Sequence, residues 1–168
     1  MSRILKIIFD WYHFNVILKK EFYKLVYAKN LSLGKHVLWR KGFSIIMDNN
    51  STLKIGNNCF FNNYCSIAVK DKITIGSNTL FGENVKIYDH NHRFNKSKIP
   101  IENQGYSIKA INIGKHCWIG SNVVILKGVT IGDNCVIGAG CVISEDIPKN
   151  TIVKLSNKSL VKSKVILH

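Results

Sequence analysis

From residue 53 onward an aliphatic or aromatic side chain returns every six positions. The first run is Ile55, Phe61, Ile67 and Ile73. After a two-residue slip come Ile75, Phe81 and Ile87, and after a longer break Ile113, Ile119, Ile125, Ile131, Ile137 and Ile143. Glycine follows the anchor directly at Gly56, Gly76, Gly82, Gly114, Gly120, Gly132 and Gly138. Two positions before the anchors stand smaller side chains: Cys59, Cys65, Val85, Cys117, Val123, Val129, Cys135 and Cys141. A period of six is a multiple of two, so an anchor and its i−2 neighbour share one face of a strand. It does not fit a helix of 3.6 residues per turn. Each hexad therefore reads as a very short strand plus a turn, whose unusual backbone angles Gly, Asn and Asp tolerate. One hexad cannot bury its own face, but stacked coils enclose an aliphatic interior. Leu33-Gly34, Trp39 and Ile45 extend the pattern back to about residue 31.

Composition narrows the classes. The 168 residues are 46% apolar and 20% charged, which suits one domain with a core and a short appendage. The formal net charge is +14, unevenly spread: nine Lys/Arg against three acids over residues 1–52, ten against seven over 53–146, and five against none over 147–168. No helix-turn-helix, zinc-finger or RNA-binding sheet motif accompanies this charge, and the basic residues flank the repeat without an aromatic platform. No nucleic-acid partner is therefore expected. The basic ends suit a phosphorylated ligand or an anionic membrane surface. The cysteine count, five, is odd and there is no CxxC pair, which points to reduced thiols, a cytoplasmic setting and no structural zinc. Ile4 to Leu18, interrupted by Lys6, Asp10, His13 and Asn15, is too short and polar to span a bilayer and lacks a small-residue cleavage site.

Three segments are expected. Residues 1–30 form an amphipathic helical segment with Ile4, Leu5, Ile7, Ile8, Trp11, Tyr12, Val16 and Leu18 on one side and Lys19, Lys20, Lys24 and Lys29 on its second half. It packs on the prism or a neighbouring subunit, or it docks peripherally on the inner face of the membrane. Residues 31–155 form the repeat domain, and 156–168 a basic tail leaving as a strand or short helix.

The hexads stop after Ile87-Tyr88 and resume near Ile111. The loop of residues 88–110 is one long interruption of a rigid scaffold, the place where a site is expected. It holds His90 and His92. Either imidazole can act as a general base, or the pair can bind a metal with Asp89, for which no further distant ligand is evident. Most cysteines occupy inward i−2 slots as small core side chains. A nucleophilic Cys117 beside His116 is the competing reading, weakened because adjacent strand residues face opposite ways.

Over residues 31–155 the pattern resembles the hexapeptide-repeat acyltransferases and is similar to bacterial polysaccharide and sugar O-acetyltransferases. The resemblance implies an all-β fold, a left-handed parallel β-helix with three hexads per coil, an N-terminal α-helical segment and one extruded loop. It implies His92 as the general base, because Asn91-His92-Arg93-Phe94 matches the family's loop start and His92 falls on the catalytic position counted from Ile87. Asn63, His90, Arg93 and Trp118 are the implied acceptor contacts. The stretch HCWIGSNVVILKGVTIGDNCVIGAGCVISEDIP, residues 116–148, resembles the coenzyme A-binding coils. There Gly120, Ser121, Ala139 and Gly140 make main-chain contacts, Ser144 and Glu145 align with a contact pair, Glu145 standing where the family often has lysine, and Trp118 lines the acetyl or acceptor pocket or a subunit interface. The usual closing Gly-Asn-Pro-Ala-Lys/Arg is absent, leaving Lys154, Lys158 and Lys162 as candidate phosphate partners.

A sugar hydroxyl is a poor nucleophile and a thioester an activated electrophile, so a neutral imidazole that takes the hydroxyl proton suffices, without a covalent intermediate. The developing oxyanion needs a donor, supplied by an N–H of the Trp118-Ile119-Gly120-Ser121 turn or by Asn63. The resemblance thus implies an O-acetyltransferase using acetyl-CoA, with a carbohydrate acceptor in a capsule or O-antigen and no metal. It implies a homotrimer in which each cofactor site lies between two prisms and His92 of one subunit faces cofactor held partly by the neighbour. The rivals are an N-acetyltransferase of an amino-sugar nucleotide, an antibiotic acetyltransferase and a non-catalytic hexapeptide-repeat scaffold.

Overall fold

The hexads close into a three-sided prism of parallel strands. The computed structural model describes residues 16–156 and the backbone of 159–164; the predicted helical residues 4–12, and Lys158, lie outside the described residues. The first face stacks Leu31–Leu33, Thr52–Ile55, Lys72–Ile75, Ile111–Ile113 and Thr130–Ile131. The second stacks Leu38–Trp39, Phe60–Phe61, Leu80–Phe81, Trp118–Ile119, Val136–Ile137 and Thr151–Ser156. The third stacks Ser44–Met47, Ser66–Val69, Lys86–Tyr88, Val124–Ile125 and Val142–Ile143. Anchors sit over anchors: Ile45 on Ile67, Ile67 on Ile87, Ile87 on Ile125 and Ile125 on Ile143. The two-residue slip is absorbed at one corner. Strands before it, Ser44–Met47 and Ser66–Val69, and after it, Thr52–Ile55 and Lys72–Ile75, are four residues long, so register survives the longer coils.

The glycines that follow the anchors do not supply the turn angles, contrary to expectation. The left-handed position is three residues before most second- and third-face anchors, where Asn58, Asn78, Asn84, Asn122, Asn134 and Asn150 have φ between 55° and 60°. His36, Tyr64 and His116 take the same conformation. Asparagine tolerates it best among residues with a side chain. It also adds a ladder, with Asn58 Nδ2 donating to Asn78 Oδ1 at 2.9 Å and Asn84 Nδ2 to Asn122 Oδ1 at 2.9 Å. The glycines answer to a different constraint. A Cβ on Gly114 would stand 2.6 Å from the Asp133 nitrogen of the next coil, and one on Gly82 2.6 Å from the Ser121 nitrogen.

Inside, the i−2 cysteines are buried, and several tie one coil to the next. The thiols of Cys59, Cys65, Cys117 and Cys135 donate to the carbonyls of Gly76, Gly82, Gly132 and Pro148 at 3.0–3.3 Å. Thr79 makes the same contact with the Gly114 carbonyl at 3.0 Å. Burial pushes the Cys117 thiol up to about 11, so it is held neutral. His116 is exposed while Cys117 faces the core, so the structure offers no nucleophilic pair there.

Among the described residues no coil precedes the first, and a helix over residues 16–27 covers its open end. Val16, Tyr23 and Tyr27 form its inner face. Tyr23 Oη accepts from the Ile45 N–H and Tyr27 Oη donates to the Ile45 carbonyl, both at 3.1 Å, while Lys19 Nζ donates to the Phe43 carbonyl. These are main-chain groups that the preceding coil would otherwise satisfy. Tyr23 also starts an aromatic column through Trp39, Phe43, Phe61 and Phe81, the last two stacked with centroids 4.4 Å apart. At the other end, Ser159–Lys164 folds back antiparallel on Thr151–Ser156, placing Lys162 opposite Val153. The coil spacing predicts that Gly114→Ala lowers stability by about 1–3 kcal/mol, read as a shifted midpoint in chemical denaturation.

Candidate active site

The excursion from the prism begins where an inward slot carries a charge. Met47 and Val69 fill that slot in the two preceding coils; in the third it holds Asp89, fully buried. A buried carboxylate requires partners. Asp89 accepts from the Lys70 N–H at 2.9 and 3.0 Å and the Asp71 N–H at 2.8 Å, and its Oδ1 lies 3.0 Å from His90 Nδ1. Its own carbonyl accepts from the Lys109 N–H at 2.9 Å, where the chain returns. Both ends of the loop are thus fixed at one residue.

From that pin the chain leaves as a hairpin, His90–His92 running antiparallel to Tyr106–Ile108 with His92 opposite Tyr106. The tip folds on itself around buried Gln104, whose amide bonds the main chain of Lys96 and Ile99 at 2.7–3.0 Å. Tyr106 is the shared surface of the cluster. Its ring centroid is 4.5 Å from that of His92, 5.3 Å edge-on from that of His90, and 3.9 Å from Lys70 Nζ, a cation–π distance. The two histidines differ in surroundings. His90 is largely enclosed and tied to Asp89. His92 is exposed and lines an open cavity of about 400 Å³ with Asn91, Arg93, Phe94, Asn95, Ser107 and Lys127, none of them acidic.

The remaining sequence candidates fall on two different edges of the prism. Ser144 and Glu145 lie on the edge between the third and first faces. There the Leu126-Lys127-Gly128 turn stacks between their coil and the loop, through Leu126 N–H to the Ile143 carbonyl and Gly128 N–H to the Lys109 carbonyl. They share that edge with His90, His92 and Arg93. Asn63, Gly120, Ser121, Ala139, Gly140 and Lys154 lie on the edge between the second and third faces. Bonds from the Asn84, Asn122 and Gly140 N–H groups to the Asn63, Glu83 and Ser121 carbonyls stack most of it, and Lys154 adjoins Gly138. Trp118 projects outward from the second face. A single chain therefore does not bring Trp118 or the residues of the second–third edge to His92. Of the expected oxyanion donors, the Trp118 and Gly120 N–H groups donate to the Cys135 and Ile137 carbonyls, and Asn63 Nδ2 donates to Glu83 Oε1 at 3.0 Å.

Sequence reasoning missed Tyr106 and Lys127, and treated Asp89 only as a metal ligand. Asp89 was open to detection as a carboxylate at an inward position of the repeat. Tyr106 and Lys127 carry no such signal, because only the hairpin pairing and the coil stacking bring them to His92.

Comparison with known proteins places the chain. The bacterial transferase hexapeptide (six repeats) family matches residues 110–145. A maltose O-acetyltransferase structure from Clostridium difficile 630 is 31% identical, with a TM-score of 0.68 over 86% of this chain and 75% of that one. The chain belongs to the hexapeptide-repeat acyltransferases. A second solved acyltransferase of this kind, the hexapeptide-repeat acetyltransferase of Vibrio cholerae complexed with acetyl coenzyme A, is 27% identical with a TM-score of 0.67, covering 82% of this chain and 72% of that one. A lipopolysaccharide biosynthesis O-acetyl transferase, WbbJ of Escherichia coli K12, is 29% identical over 131 residues, 74% of this chain and 67% of the relative.

In this acyltransferase the loop depends on Asp89. Asp89→Asn removes the charge and one of the two acceptor oxygens that the Lys70 N–H and the His90 ring share. The substitution is expected to cost about 1–3 kcal/mol in chemical denaturation and to raise the protease sensitivity of residues 93–105.

Proposed function

We propose that this acyltransferase moves an acetyl group from acetyl-CoA to a sugar hydroxyl of a bacterial surface polysaccharide, a capsule or O-antigen, with His92 as general base. The observation that carries the reading is the position of His92: the one long interruption of the prism delivers its imidazole, exposed, to an open cavity. The neutral ring takes the proton of the acceptor hydroxyl as its oxygen bonds to the thioester carbonyl carbon. The tetrahedral centre then collapses, the C–S bond breaks and the proton passes from the imidazolium to the departing thiolate. The products are an acetyl ester and free coenzyme A, and the ring is regenerated. Phe94, exposed at the cavity, offers a face on which a sugar ring can lie. The O-acetyltransferase relatives favour a hydroxyl over an amine as acceptor.

The acetyl-CoA site is completed by a second copy of the chain in a homotrimer. Two facts support this. The split of the cofactor candidates from His92 is resolved when the second–third edge of one prism meets the loop edge of another. The second face also carries an outward apolar stripe in register across its coils: Leu38, Phe60, Leu80, Trp118, Val136 and Ile152. The corresponding residues of the first face are Ser32, Lys54, Thr74, Asn112 and Thr130. An apolar stripe of this extent marks an interaction surface.

The proposal is tested with labelled acetyl-CoA against free and lipid-linked oligosaccharides. His92→Ala is expected to lower turnover by about 10²–10⁴-fold while thermal stabilisation by acetyl-CoA persists; full turnover in that variant removes His92 from the mechanism. Absence of any acetyl-CoA binding would favour a scaffold role. Sedimentation equilibrium is expected to give a trimer, and Trp118→Glu both to dissociate it and to abolish turnover, although the His92 loop is intact.

A further inference from the structure

The N-terminal helix has two apolar faces, and the prism uses only one. Taken at 100° per residue, Val16, Tyr23 and Tyr27 fall within about 40° of one another and pack on the first coil. Leu18, Phe22, Leu25 and Val26 fall within about 100° on the opposite side, and all are exposed, Phe22 at 58% and Leu25 at 81%. A stable helix on a folded prism does not need this second face; its capping bonds all arise from the first. Lone exposed apolar residues are ordinary, but four neighbouring large ones on a short helix form a contiguous patch.

The charge around the patch selects its occupant. Residues 16–51, which build the helix and the first coil, contain Lys19, Lys20, Lys24, Lys29, Lys35, Arg40 and Lys41 against Glu21 and Asp48. Both acids are already paired, with Lys24 at 2.8 Å and Lys70 at 3.0 Å. An apolar ridge flanked by cations is the pattern of a helix lying in a bilayer interface, with its apolar side chains among the acyl chains and its ammonium groups at anionic head groups. None of the described helices is long and apolar enough to cross a membrane, so the contact is in-plane. We propose that Leu18, Phe22, Leu25 and Val26, with the flanking lysines, dock this end of the prism on an anionic lipid bilayer. The inference stands independently of the acyl-transfer reading.

The full chain is mixed with vesicles of phosphatidylcholine alone or of phosphatidylcholine with phosphatidylglycerol, and the bound fraction is read by co-sedimentation. The expected result is binding to the anionic vesicles, at least tenfold stronger than to neutral ones and weakened by salt. Leu18→Ser/Phe22→Ser/Leu25→Ser is expected to reduce it at least tenfold, with the melting temperature checked. Leu25→Ser alone, at a side chain that is mostly in solvent, serves should the triple variant not fold, and is expected to weaken binding severalfold. Wild-type protein that ignores anionic vesicles, or binding unchanged in the serine variants, overturns the proposal. A change of oligomeric state in Leu25→Ser by sedimentation velocity, with vesicle binding intact, overturns it in favour of a second copy as the occupant.

Discussion

Each coil is held to the next by main-chain hydrogen bonds at 2.7–3.2 Å, including Gly76, Gly114 and Gly138 N–H to the Ile113, Ile131 and Val153 carbonyls. That close spacing governs the rest. It leaves no room for a Cβ at Gly56, Gly76, Gly82, Gly114, Gly120 and Gly132, and stacks each inward side chain on its counterpart. Parallel strands of two to four residues would be negligible alone; repeated on three sides they gain a continuous core. The cysteines fit the same logic. Each is small enough for an i−2 slot, and several carry a donor that reaches the neighbouring coil's carbonyl, as Thr79 does in the same column. Their chemistry is packing and weak hydrogen bonding.

Such a repeat is rigid and closed, so a reacting group must be supplied by breaking it. Asp89 is the break. Replacing Met47 and Val69 of the earlier coils with a carboxylate removes an apolar contact and installs three polar ones, to the Lys70 and Asp71 N–H groups and the His90 ring nitrogen. The carboxylate is fixed by the coil before it, and so the hairpin that follows is fixed too. His90 and His92 lie against Tyr106, but only His92 opens on the cavity with Arg93 and Lys127. The cationic lining without acids suits phosphates and an oxyanion alike.

The ends of the prism face a different demand, since the last strand of any stack leaves main-chain groups unpaired. The two ends solve it differently. Helical Tyr23, Tyr27 and Lys19 bond the main chain of Phe43 and Ile45 at one end, and a folded-back strand pairs with Thr151–Ser156 at the other. Capping by a helix has a by-product: a second helical face pointing away from the prism, free to carry a different function. The apolar second face of the prism is likewise surplus to a single chain's stability.

The repeat period alone determined the strands, their inward residues and the interruption at 88–110, because a six-residue alternation admits one way of hiding its apolar positions. It did not distinguish the glycines' steric role from the asparagines' conformational one, since both residue types cluster at turns. Nor did it show that Gly120 and Ala139 occupy a different edge from His92, because edge identity depends on how many residues each coil contains, and the first coils are longer than eighteen. Tyr106 and Lys127 join His92 only through a hairpin register and a coil stack. Local pattern fixes which side chains turn inward; which outward ones become neighbours is decided by the closure of the coils in three dimensions.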